Sequence, residues 1–410
     1  MRSPGTSSAS WAAAAGPSTV NDASRPLAVV AGHLCLDIVC HLDASRVALE
    51  PGSLIEVHGT TLATGGAVSN TGLALSKLGI PTLLMAKVGD DALGVLVKES
   101  LLTSGARHVE GITTSAEAGT SYTVVITPPS GERMFLHDPG ANAVFRSSDI
   151  DTSLLEPALL FHFGYPPLMR QLYAQGGQEL VKLFAAVKDQ GLITSLDLSL
   201  PDPASEAGQV DWQAILKRVL PQVDIFLPSF EELLYMLRPE MFRRLKQAGE
   251  EALPPGAGLV SEIASELLAL GPQIVGIKLG PWGFYLRTAG TVTLSGLASL
   301  ATNWHNRELW APCFQVTVAG TVGAGDTTVA GFLAGLLRGL SLEDALNTAC
   351  AVGACCVEAP DAVSGVKSWT VTRARIQRGW PRRELTLPDG WRREDSAVWR
   401  GPHDAHRSLV

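Results

Sequence analysis

Residues 313–337 read CFQVTVAGTVGAGDTTVAGFLAGLL, and the rest of the chain is organised around this stretch. Phe314, Val316 and Val318 alternate with Gln315 and Thr317, which predicts a strand. A turn of small residues follows over 319–325, then Asp326, then an apolar, helix-like run over 327–337. A glycine-rich turn between a strand and a helix bares backbone N–H groups at a helix N-terminus, where the dipole favours an anion. Glycine suits such a turn because a side chain would obstruct the approach of a phosphate. A carboxylate repels phosphate, so Asp326 does not read as an anion ligand. It reads as a general base for a hydroxyl that attacks phosphorus. An ordinary tight turn with Asp326 as a helix cap is the alternative this stretch leaves open.

The chain has 410 residues and a net charge of −8, which argues against nucleic acid as its main partner. A hydrophobic fraction of 46% and 41 glycines fit a globular α/β chain with an ample core and many tight turns. Its six cysteines form no CxxC pair and its nine histidines no HExxH, so neither zinc spacing is present. Adjacent Cys355 and Cys356 in an Ala-rich run point to buried thiols and a reducing, cytoplasmic setting. No run of about 18 apolar residues occurs, so no membrane helix is expected. Residues 1–25 lack the apolar core of a secretory signal and read as a disordered tail.

Residues 27–39 are an apolar run expected to form one buried strand, with Asp37 near its carboxyl end. Ligands gather at that end of strands in open α/β sheets. Gly65 and Gly66 precede a helix that runs to Lys77. The glycine pair lets backbone approach a ligand, and Asn70 directs a two-way hydrogen-bonding amide at it; a plain turn and a helical Asn are the alternative. A strand over 80–88 and a helix over 92–102 continue a βαβ rhythm, which implies a parallel sheet. The rhythm breaks over 108–137. Strand-like 121–127 and 133–137 flank Pro128-Pro129-Ser130-Gly131, an antiparallel hairpin signal. With residues 43–62 this region is expected to form a small sheet, either a lid that excludes water or a dimerisation surface.

Strands are expected again over 159–163, 192–196, 223–227 and 274–279, and helices over 169–188, 212–220 and 259–270. Residues 237–257 read as irregular. Asp197 and Glu232 fall near the ligand-facing edge, and Ser229 with Glu232 also fits a helix capping box. Lys278, Gly280 and Gly283 lie in a turn between strands with room for a nucleotide. The last residues, with Trp380, Trp391 and Trp399 among mixed charges, read as an extension wrapping the surface rather than an RNA platform.

Two segments together resemble the signatures of the PfkB carbohydrate kinase family, whose fold is ribokinase-like. One runs from Gly65-Gly66 through Asn70 to Gly79 and on to Gly89-Asp90-Asp91. The other is Gly323-Ala324-Gly325-Asp326. The resemblance spans residues 26–370, with 371–410 as an extension. It implies a three-layer α/β fold, a central mostly parallel sheet between helices, and a small β-sheet lid. It further implies ATP-dependent phosphorylation of a sugar or sugar-like alcohol, with a nucleoside kinase or a catalytically silent regulator as alternatives. By the family pattern Asp326 is the base and Gly323, Ala324 and Gly325 form the anion hole. Asp37, Gly65, Gly66 and Asn70 hold the substrate. Lys278, Gly280, Gly283 and Gly353 hold the nucleotide, and Glu232 serves Mg²⁺ through water. Arg133, His137 and Asn142 are candidates for sugar specificity or for structure alone, and the small sheet, read above as lid or dimerisation surface, leaves a homodimer through the lid open. The sequence departs from the family in two places. The Asn of the family's Asn-x-x-Glu motif is Ser229. The Asp that often begins its DTxGAGD motif is Gly320, so potassium activation does not follow.

Overall fold

A computed structural model describes residues 25–42, 51–52, 54–127, 134–248, 256–297, 302–394 and 397–405. Its strands are, in chain order, β1 (Ala28–Gly32), β2 (Cys35–His41), β3 (Thr60–Gly65), β4 (Thr82–Gly89), β5 (His108–Ser115), β6 (Tyr122–Thr127), β7 (Met134–Asp138), β8 (Leu160–Gly164), β9 (Ile193–Asp197), β10 (Ile225–Phe226), β11 (Ile274–Lys278), β12 (Phe284–Thr288), β13 (Glu308–Ala311), β14 (Arg392–Arg393) and β15 (Trp399–Arg400). They form a central sheet in the order β14-β15-β13-β12-β11-β10-β9-β8-β1-β4-β5 and a smaller one in the order β3-β2-β6-β7. From β5 across to β11 neighbours run parallel, and beyond β11 they pair antiparallel.

The pleat divides the core into two layers. In β1, Ala28 and Val30 face one cluster while Val29 and Ala31 face the other, as the period of two requires. Helices Ala67–Lys77, Ala324–Leu337 and Leu342–Cys356 cover the first face. Helices Arg170–Asp189, Trp212–Val219, Phe230–Leu237 and Ala257–Leu268 cover the second. Both faces of the parallel strands are therefore buried, which explains their continuous apolar runs.

Several expectations change. Residues 27–39 are not one strand. The chain breaks at Gly32 (φ 126°), where a Cβ would lie 2.2 Å from the Gly164 carbonyl oxygen. Beyond this break β2 joins the small sheet, so Asp37 stands on that sheet and not at the end of a core strand. Residues 108–115 belong to the edge of the central sheet, beside β4. The small sheet is built from β2, β3, β6 and β7 instead, with the β6–β7 pair antiparallel as the hairpin reading requires. The alternation at Phe314, Val316 and Val318 makes no strand; residues 312–323 form the loop after β13. Part of the segment over 237–257 is helical, Pro239–Ala248. Arg133 and the Pro128–Gly131 turn lie outside the described residues, as does most of 1–25.

The C-terminal residues enlarge the sheet. β15 pairs with β13, and Trp391 packs on Tyr285 and Trp310. Cys355 and Cys356 are buried thiols.

Candidate active site

The helix Ala324–Leu337 starts from Gly323, which holds a left-handed conformation (φ 72°). Any side chain there would meet Ala362, since a Cβ would lie 2.5 Å from its Cβ. The Ala324 amide donates to the Thr321 carbonyl at 3.2 Å and so closes the turn. The amides of Gly325 and Asp326 fall in the first helical turn, where N–H groups have no acceptor within the helix. The Asp326 side chain is 2% exposed. It accepts hydrogen bonds from Asn70 Nδ2 at 3.0 Å and from the Tyr165 hydroxyl, which is 2.8 Å from both carboxylate oxygens. Burial pushes its carboxyl above the ordinary aspartate range, against the pull of Lys278, Asn70 and Tyr165.

Lys278 comes from the end of β11. Its ammonium lies 2.5 and 2.6 Å from the two oxygens of Asp197, at the end of β9. A Cβ on Gly325 would lie 3.6 Å from Lys278 Nζ, so the ammonium borders the glycine turn. Burial opposes charge on Lys278, yet Asp197, Glu232 and Asp326 together raise its pKa and keep it a cation. Burial drives Asp197 up to about 7 against the pull of Lys278, with Glu232 and Asp326 adding to the rise. The ends of β9 and β11 and the first turns of helices Phe230–Leu237 and Ala324–Leu337 therefore bring one cation and three acids together.

Glu232 sits in the capping box its sequence suggested. Its Oε2 accepts from the Ser229 amide at 2.7 Å, and Ser229 Oγ accepts from the Glu232 amide at 3.3 Å. Ser229 also bridges to Lys278 across the sheet, which ties this cap to the ion pair. Among the described residues no group of three or more His, Cys, Asp or Glu converges as a metal cage.

Gly65 and Gly66 admit their neighbours closely. A Cβ on Gly65 would lie 2.4 Å from Asp37 Oδ2, and one on Gly66 (φ 88°) 2.4 Å from the His33 carbonyl oxygen. Asp37 is also approached by Cys35 Sγ at 3.4 Å, and burial raises its carboxyl. Asn142 exchanges hydrogen bonds with the Leu34 backbone in both directions, at 3.3 and 2.9 Å. Its amide therefore fastens the link between β1 and β2. His137, on β7, bonds Thr123 at 3.0 Å and lies 5.7 Å, ring to ring, from His33.

A cavity of about 840 Å³ opens beside the glycine turn, lined by Lys278, Gly280, Gly283, Ala324, Gly325 and Gly353 among others. Gly283 (φ 102°) permits its floor, since a Cβ would lie 2.0 Å from the Ala311 carbonyl oxygen. At Gly353 a Cβ would meet Thr328 Oγ1 at 2.3 Å, so this glycine also serves helix packing.

Sequence reasoning missed Tyr165 and His33. Tyr165 follows β8 in a left-handed conformation (φ 69°), rare for a bulky residue. The signal was present: Gly164-Tyr165-Pro166-Pro167 stands just beyond a strand's carboxyl end. His33 is buried with both ring nitrogens lacking a partner. Burial, then His137, lowers its pKa to about 3.

These features accord with the comparisons. The pfkB family carbohydrate kinase model matches residues 26–369, and the chain belongs to that family. Among its relatives, ribokinase of Arabidopsis thaliana is 26% identical over 350 residues, covering 85% of this chain and 80% of that protein. Probable fructokinase-5 of the same plant is 29% identical over 218 residues, covering 53% of this chain and 64% of that protein. The structure of Arabidopsis thaliana ribokinase complexed with ribose and ATP superposes with a TM-score of 0.64 at 23% identity, covering 85% of this chain and 98% of that one. A putative ribokinase II from E. coli in complex with ATP and Mg²⁺ also gives 0.64, at 20% identity, covering 86% and 99%. These superpositions establish the ribokinase fold.

Proposed function

We propose that this kinase transfers the γ-phosphoryl group of ATP to a hydroxyl of a sugar or sugar-like alcohol, with Asp326 as the general base. The observation that carries the reading is the meeting of Asp326, Asn70 and Lys278 at the bared first turn of one helix. Family membership adds to it.

ATP and Mg²⁺ supply the phosphoryl group and neutralise its charge when bound. The cavity beside Lys278 and Gly325 has the volume for a nucleotide. Glu232 is engaged in its cap and Asp197 in its ion pair, so the magnesium would keep mostly phosphate and water oxygens as ligands. Asp326, held by Asn70, takes the proton of the attacking hydroxyl. The Gly325 and Asp326 amides and the Lys278 ammonium bind the phosphoryl oxygens as charge develops there. Asp37, on the lid, accepts hydrogen bonds from substrate hydroxyls, and closure over them would exclude water. Leu62, Phe135 and Leu136 are exposed on the lid, which supports pairing of two copies through this sheet.

A panel of pentoses, hexoses and nucleosides assayed with Mg-ATP for ADP release tests the reading. Turnover of at least one sugar is expected. Preference for nucleosides would move the substrate class, and sugar binding without any transfer would favour a silent regulator.

A further inference from the structure

The nucleotide cavity has a wall that the family match, ending at residue 369, does not include. Residues 313–315 of the loop after β13 pair with 381–383 of the C-terminal extension. The Gln315 amide donates to the Pro381 carbonyl at 2.9 Å and the Arg383 amide to the Cys313 carbonyl at 2.8 Å. Trp380 Nε1 donates to the Gln315 carbonyl at 2.9 Å. Side chains lock the same junction. Phe314 and Trp380 stack with centroids 4.4 Å apart, Arg382 lies 3.5 Å over Phe314, and Arg375 lies 3.4 Å over Trp380. Phe314 is 2% exposed and Trp380 9%. A cation, two rings and a second cation thus form a rigid four-layer stack. Arg383 and Glu384 are exposed and line the same cavity as Lys278 and Gly325.

We infer that the C-terminal extension is part of the nucleotide site, and that Glu384 and Arg383 bind the nucleoside moiety. The inference rests on the proposed kinase reading. Charge sets the orientation. Glu384 would repel phosphates, which belong at the Lys278–Gly325 end beside the bared amides. The Glu384 carboxylate instead accepts hydrogen bonds from ribose hydroxyls or a base amino group. The Arg383 guanidinium offers a planar cation to stack on a base or to donate to its acceptors. Because the stack holds the wall in place, little ordering is required when the nucleotide arrives.

Calorimetric titration of the full-length protein with Mg-ATP, and separately with inorganic tripolyphosphate, tests this. Glu384→Ala and Arg383→Ala alter exposed side chains, and unchanged melting temperatures would verify their fold. Each is expected to weaken ATP binding about fivefold or more, the loss of a charge-assisted hydrogen bond, and to leave tripolyphosphate binding unchanged. A Trp380→Ala variant, which removes the stack, should weaken ATP in the same selective way. ATP affinity equal to the parent's in both rim variants would overturn the inference while leaving the kinase reading intact. Equal weakening of ATP and tripolyphosphate would also overturn it. A parent protein that binds no ATP at all would overturn both.

Discussion

The Tyr165 hydroxyl lies 2.8 Å from each carboxylate oxygen of Asp326, donated from a residue whose backbone is left-handed. Such a conformation costs a non-glycine residue about 1–3 kcal/mol and persists only where its surroundings impose it. Burial beside Asp326 and Asp197 pushes the phenol well above its ordinary range, so it stays a donor. A donor on a carboxylate favours the charged, basic form.

Tyr165→Phe should therefore shift the pH dependence of turnover. As the proposed base, Asp326 acts when deprotonated, so the rate is expected to rise with pH through its pKa. Removing the hydrogen bond raises that pKa and moves the acid limb to higher pH. At pH values above the limb, kcat should fall by less than about tenfold, because the proton acceptor itself remains. An acid limb that stays where the parent has it would contradict this role for Tyr165.

Acid stability carries a second expectation. Burial, then Lys278, lowers His162 from 6.5 to about 3. The unfolded chain thus takes up a proton on this ring between pH 6.5 and 3 while the native state does not. The stabilisation is full above pH 6.5 and is lost as pH falls through 3. Chemical denaturation across this window should show His162→Phe with a slope shallower by up to about 1.4 kcal/mol per pH unit. Parallel curves would show that the histidine is protonated in both states.

Gly66→Ala should be costly for its type. Its φ of 88° disfavours a side chain, and the Cβ would meet the His33 carbonyl at 2.4 Å. A loss of about 1–3 kcal/mol is expected from the backbone alone, with a raised KM for the sugar as Asn70 and Asp37 shift. A variant as stable and active as the parent would mean that this approach is not required.

Monovalent cations should matter little. The family's acid is replaced by Gly320, and the Ala319 and Gly320 amides already bond the Val357 carbonyl at 2.8 and 3.3 Å. A Cβ at Gly320 would lie 2.9 Å from the Pro360 carbonyl oxygen, so an aspartate could not be restored without movement. Exchanging K⁺ for tetramethylammonium should change turnover by less than about twofold; strong activation by K⁺ would require a carbonyl-only site here.

The α/β rhythm was legible because parallel strands buried on both faces are short apolar runs separated by helix periodicity. Asp326, Asn70, Lys278 and Gly325 were singled out separately, by residue type and family resemblance, and the structure sets Asn70 beside Asp326 and Lys278 beside Gly325. Two strand boundaries misled for opposite reasons. Gly32 hides a turn inside an apolar run, because a close backbone approach to β8 leaves no periodicity signal. Phe314, Val316 and Val318 alternate without forming a strand, because pairing with the C-terminal extension stops at Gln315 and Val318 stays exposed. The bend at Gly164-Tyr165-Pro166-Pro167 was legible, but the bond from Tyr165 to Asp326 was not, because its partner is 161 residues away. The Asp197–Lys278 ion pair likewise depends on the order of strands in the sheet and not on any local pattern.

The most direct test compares Asp326→Asn with the parent, using the preferred sugar, for phosphoryl transfer and for sugar binding by calorimetry. The substitution keeps the side-chain shape and removes the base. Turnover should fall by about 10²–10⁴-fold or more, with sugar affinity within a few fold of the parent's. Transfer at the parent's rate in the asparagine variant would contradict the assignment of Asp326 as the proton acceptor.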